Sequence, residues 1–239
     1  AETGSVLRQY DWVRNESYRV FPVPLASPDQ GSRSLVVDPF DAVASPYGWH
    51  DTNGIAGAEF TDTRGNNVEA QEDTDANDIA ASRPDGGGGL VFDFPFDSSL
   101  PAPGLIDASV TQLFYANNKA HDIFYAYGFD EASGNFQQNN YGRGGLAGDP
   151  VVADSQDGSD TNNAQFGTPP DGFSPRMEMF LFDPVGSNSL TVNTPASLAG
   201  SFSAGISVFG SVPVAPGLTG NLVRAEDAAN GAGPTTTDG

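Results

Sequence analysis

The chain has 239 residues and a formal charge of −21, from 31 acidic against 10 basic side chains. Phosphate recognition needs a basic surface, so nucleic acid is excluded as a partner, and the same charge argues against anionic membranes. No stretch approaches the roughly 20 apolar residues of a membrane helix. With no cysteine, disulfides, thiolate metal sites and cysteine nucleophiles are all absent.

Hydrophobic residues make up 38%, enough for a sizeable core, while 29 Gly and 18 Pro predict a loop-rich body. The expected fold class is α+β, mainly β, with one long helix. Excess carboxylate attracts divalent cations and repels itself unless ions screen it. That suits a secreted protein in a salty or calcium-containing medium, although an acidic cytosolic protein has the same composition. The opening AETGSVLRQYDW lacks the basic and apolar layout of a signal peptide, so any leader is expected to have been removed or left out.

In chain order, residues 18–25 (YRVFPVPL) and 34–37 read as extended. Pro22 and Pro24 lack backbone donors, so the first run is expected to be an edge strand or an arm, not a central strand. Residues 71–89 read as an exposed acidic loop ending in glycines, and 92–97 (FDFPFD) as a short strand. An amphipathic helix is expected at about 107–128, its stripe running through Val110, Leu113, Phe114, Asn117, His121, Phe124 and Tyr125. Asp107 or Ser109 is the expected N-cap, and Gly128 the stop. Residues 129–175 read as loop, and 176–182 (RMEMFLF) as a strand with Met177, Met179 and Leu181 on one side. Composition shifts near 184–190, so the expected domains are 1–184 and 185–239. The second carries β-prone runs at 198–209 and 211–214 and a flexible tail.

Water-activating zinc helices carry HExxH, because histidines at i and i+4 share one face and the glutamate polarises the metal-bound water. His50 and His121 are the only histidines, and neither stands in that arrangement. Both read as structural, His121 as a satisfied core histidine beside a carboxylate or carbonyl. No GxSxG elbow is present, and no spacing singles out a catalytic carboxylate pair. Calcium is the better ion. Asp73, Asp75 and Asn77 form one acidic stretch, and Asp154, Asp157 and Asp160 a second. Hard cations take about six to eight oxygens from such loops. Neither is an EF-hand, since Asp78 and Pro84 stand where the glycine and the bidentate glutamate belong, and solvated loops are the competing reading. The segment NNAQF at 162–166 leads into a strand whose free edge suits an extended peptide, or else is an ordinary polar turn.

Four blocks carry a family resemblance: YRVFPVPLASPDQG; SPYGWHDTNG with FTDTRGNNVEAQED; LFYANNKAHDIFYAYGFDEASGNFQQNNYGRGG; and SQDGSDTNNAQFGTPPDGFSPRMEMFLF. In this order they resemble the fungalysin family of secreted zinc metalloproteases over roughly residues 18–182. The resemblance implies the N-terminal lobe of a thermolysin-like fold, secretion, a propeptide and broad endopeptidase activity on peptide or protein substrates. It also implies that Asn163 and Ala164 hold the substrate backbone. VNTPASLAGSFSAGISVFG then resembles the opening of an inserted protease-associated domain. All zinc ligands and the catalytic glutamate are expected outside these residues, in the remainder of the peptidase or a second processed chain. The chain alone is therefore expected to be inactive. The rival functions are a non-catalytic extracellular fragment, either a structural or a self-assembling module with calcium as a candidate stabilising ion, and an acidic calcium-binding adhesion module of separate ancestry.

Overall fold

The structure, a computed structural model, describes residues 16–25, 28–79, 82–182, 189–193, 197 and 199–203. The chain divides into two compact units, Ala1–Asp183 and Pro184–Gly239. In the first, β1 (Ser17–Val20) lies between β2 (Ser34–Val37) and β4 (Val91–Phe92), antiparallel to β2 and parallel to β4. β1 is thus a central strand, contrary to the reading of 18–25 as an edge or arm. The ladder ends at Val20, so Pro22 and Pro24 fall beyond it and their missing donors cost no sheet hydrogen bond. Of the expected strand at 92–97, only Phe92 belongs to a ladder.

The second sheet has the order β3-β5-β7-β6, built from β3 (Val68–Glu72), β5 (Val151–Thr161), β6 (Ala164–Gly167) and β7 (Arg176–Leu181). β3, β5 and β7 run parallel, and β6 returns antiparallel on β7. Two expectations are corrected here. Residues 71–73 are buried rather than part of an exposed loop, and 151–161 is a long strand inside the stretch read as loop. β5 hides Asp154, Ser155, Gln156 and Asp157, so it lacks the apolar alternation by which a strand is recognised in sequence.

α1 (Ile106–Ala126) packs against β1, β3 and β5. Its first half follows the expected stripe: Val110 and Phe114 are buried with Tyr115. The second half does not. Asn118 and Asp122 face inward, while Phe124 is 57% exposed. Polar partners explain the turn of the buried face. Asp122 accepts from Trp49 Nε1 (3.2 Å), Ser45 Oγ (2.9 Å) and the Asp41 amide (2.9 Å). Asn118 Oδ1 accepts from Asn67 Nδ2 at 3.0 Å. The helix starts from Leu105 without a side-chain cap; Ser109 Oγ instead donates back to the Ile106 carbonyl, and Asp107 lies in the first turn. Gly128, at φ +96°, follows the last turn and ends it in the left-handed region.

The core joins Tyr18, Val20, Trp49, Val68, Ala70, Phe92, Val110, Phe114, Val151 and Ala153. In the second unit β8 (Ser189–Val192) pairs antiparallel with β9 (Gly200–Ser203). The expected run at 211–214 and the tail lie outside the described residues.

Candidate functional site

β6 closes one side of the second sheet, and all four of its residues are exposed. Its register on β7 sets Ala164 opposite Met179 and Phe166 opposite Met177. Met177 in turn packs on the core and meets Asn117 Nδ2 of α1 through its sulfur at 3.4 Å. Phe166 leans on Phe136 (centroids 6.1 Å apart), which packs edge-on against Phe129. The edge is thereby braced on its inner side and open along its outer side among the described strands. The entry to β6 is sharp. Asn162 adopts φ +60°, and its amide donates to the Leu181 carbonyl at 2.9 Å. Asparagine tolerates that left-handed backbone better than most residues. The turn presents Asn163, which is exposed, immediately before the strand.

The residues read from sequence as calcium ligands are split by the fold. One carboxylate oxygen each from Asp73, Asp154 and Asp157 lies within 4.8 Å of the other two, and all three residues are buried. Asp75, Asn77 and Asp160 are exposed and stand outside that trio. In sequence the acids lie in two separate stretches. Backbone bonds join them: the Asp73 amide donates to the Ser155 carbonyl (3.3 Å), and the Gly158 amide to the Asp73 carbonyl (3.0 Å). Gln71 and Arg176, neither singled out by sequence, complete the surroundings. Gln71 Nε2 donates to Asp154 Oδ1 at 2.8 Å, and Arg176 Nε lies 2.8 Å from Asp154 Oδ2. Burial pushes the Asp154 carboxyl up to about 6, against the opposing pull of Gln71 and Arg176.

Both histidines are engaged by protein groups. His50 is buried in an aromatic stack, its ring 5.2 Å from Phe92 and 4.9 Å from Phe114. Its Nδ1 is 2.9 Å from the Arg64 carbonyl and its Nε2 is 2.8 Å from the Tyr18 hydroxyl. His121 Nδ1 is 3.2 Å from Asp122 Oδ1 and its Nε2 is 3.3 Å from Asn135 Nδ2. With all four ring nitrogens engaged by protein groups, the histidines present do not fit a zinc site.

The sequence profile of the fungalysin metallopeptidase (M36) family matches residues 17–229. This chain belongs to the fungalysin family. The fungalysin chain is 42% identical over 186 residues to extracellular metalloproteinase mep of Aspergillus terreus, covering 76% of this chain and 29% of that protein. It is 41% identical over 184 residues to probable extracellular metalloproteinase 5 of Trichophyton verrucosum, covering 76% and 28%. A third relative, extracellular metalloproteinase 1 of Arthroderma otae, is 41% identical over 185 residues, with 76% and 28% covered. The chain therefore spans less than a third of the length of these curated relatives.

Proposed function

We propose that this fungalysin chain supplies the substrate-binding upper sheet of a secreted zinc metalloendopeptidase, with Asn163 and Ala164 gripping the backbone of an extended peptide. The observation that carries the reading is β6 itself, an exposed antiparallel edge entered through a left-handed Asn162 that sets Asn163 at the strand's mouth. An open edge adds a peptide as a further strand, main chain to main chain, and a side-chain amide at its entrance fixes that peptide's register. The extracellular relatives support secretion, and among the described residues no helix is long and apolar enough to cross a membrane.

Neither histidine of this chain fits zinc, so the metal's ligands and the catalytic glutamate belong to the rest of the peptidase or to a second processed chain. Zinc, once bound there, would polarise the scissile carbonyl and activate water. The role of the residues here is to hold the peptide in line beforehand, and the chain by itself is inert. Residues 185–239 are read as the opening of a protease-associated insert, on the VNTPASLAGSFSAGISVFG run.

The test is Asn163→Ala in the complete enzyme, with zinc content measured alongside peptide hydrolysis. The expected result is a several-fold fall in kcat/KM at full zinc occupancy. Unchanged peptide kinetics would remove Asn163 from the site.

A further inference from the structure

The clustered carboxylates of Asp73, Asp154 and Asp157 carry more charge than the described residues around them compensate. Asp154 and Asp73 are 0% exposed and Asp157 is 2% exposed. Asp73 Oδ1 and Oδ2 accept the amides of Asn77 and Asp78 (3.0 Å each), and Asp157 Oδ1 accepts the Ser159 amide at 2.7 Å. Asp157 Oδ2 is buried and has no hydrogen-bond partner among the described residues. Among the described residues Arg176 is the cation ion-paired with the trio, and it is shared: its Nε lies 2.8 Å from Asp154 and 3.4 Å from Asp78. One guanidinium cannot neutralise three buried carboxylates. Buried charge is retained only where it is paired or coordinates a metal.

We propose that Asp73, Asp154 and Asp157 form a calcium site that ties the loop after β3 to the bulge of β5. The donors are all oxygen, which selects a hard cation over zinc or copper. They come from a turn and from an irregular strand, where the β5–β7 register shifts between Ser155 and Asp157, rather than from a rigid octahedral cage. Such adaptable donor sets favour calcium over magnesium. The backbone is packed tightly at the same place, since a Cβ on Gly158 would collide with the Thr74 carbonyl. A dication here neutralises the surplus charge, engages the orphan oxygen of Asp157 and locks two segments that are distant in sequence. The inference is independent of the substrate-binding role of Asn163, and its test uses no peptidase activity.

The chain, stripped with chelator and desalted, is titrated with calcium chloride by calorimetry at neutral pH and physiological salt, with magnesium chloride as the parallel arm. Expected is one saturable calcium site, with Kd in the range of about 10⁻⁴–10⁻³ M typical of extracellular modules, and weaker magnesium binding. Asp157→Asn, nearly isosteric, should weaken calcium at least tenfold, while Asp160→Asn, outside the trio, should leave it within about twofold. Hydrogen exchange of the wild-type chain maps the site without any variant: calcium should slow amides at 73–78 and 155–158. Absence of saturable calcium binding, equal affinity in Asp157→Asn, or protection confined to other segments would each overturn the assignment.

Discussion

The Tyr18 hydroxyl lies 2.8 Å from His50 Nε2 inside the aromatic core, with both residues essentially unexposed. His50 Nδ1 faces the Arg64 carbonyl, so that nitrogen carries the proton and Nε2 accepts from Tyr18. Glu16 Oε2 stands 3.3 Å from the same hydroxyl and 4.0 Å from Nε2. The hydroxyl's single proton faces two acceptors, His50 Nε2 at the shorter distance and Glu16 Oε2 at the longer. Burial pushes the Glu16 carboxyl up to about 7 and His50 down to about 4, so both are predominantly neutral between those two values.

These shifts predict the dependence of stability on pH. Glu16, raised from 4.5 to about 7, contributes stability that is present below about 4.5 and lost as pH rises through 7. His50, lowered from 6.5 to about 4, contributes stability that is present above 6.5 and lost as pH falls through 4. The two slopes oppose each other in between, and Asp38 and Asp122 add to the cost of charging Glu16. Glu16→Gln should abolish the alkaline loss. Relative to wild type, the variant should gain roughly 1–3 kcal/mol between pH 5 and pH 8 in denaturant melts. Parallel profiles for the two proteins would show that Glu16 is ionised throughout.

Asp122 is the buried anchor of the second half of α1. Replacing it by alanine strands Trp49 Nε1, Ser45 Oγ and the Asp41 amide, each an unsatisfied donor. The expected cost is about 2–4 kcal/mol by urea unfolding, with indole fluorescence reporting the release of Trp49. Exposed Phe124 on the same helix serves as the contrast: its alanine variant should change stability by about 0.5 kcal/mol or less.

Gly158→Ala tests the close approach of the two acidic segments. The added methyl meets the Thr74 carbonyl, a backbone group that cannot swing aside. A loss of about 1–3 kcal/mol is expected, accompanied by faster exchange of the Asp73 amide, whose acceptor is the Ser155 carbonyl. Wild-type stability would mean the segments separate at little cost.

The isolated chain should hold no stoichiometric zinc and should not cleave casein, since both ring nitrogens of His50 and of His121 are committed to protein groups. Metal analysis and a casein assay read this directly. Stoichiometric zinc together with chelator-sensitive cleavage would refute it.

Much of the architecture is legible in the residues because it is local. Apolar residues at helical spacing announce α1 to within a residue or two of Ile106–Ala126, and Gly128 marks its end. The helix's inward face past Phe114 was not legible. Its partners at Trp49, Ser45 and Asn67 are remote in sequence, and they select Asn118 and Asp122 over Phe124. β1 departs from expectation for a related reason: prolines at 22 and 24 signal an edge, yet the strand stops before them. β5 is not legible in sequence because, past Val151 and Ala153, its buried residues are carboxylate, hydroxyl and amide rather than aliphatic.

From its order of residues alone, this chain determined its kinship with the fungalysins, its acidic surface, its single long helix and its lack of a zinc-binding helix motif. Those properties are written in composition and short-range periodicity. Tertiary structure decided which acids meet. Asp73 and Asp157 are neighbours only because β3 and β5 pair in parallel, setting Glu72 opposite Ser155. That pairing is a long-range choice made by core burial, and no spacing within either segment encodes it.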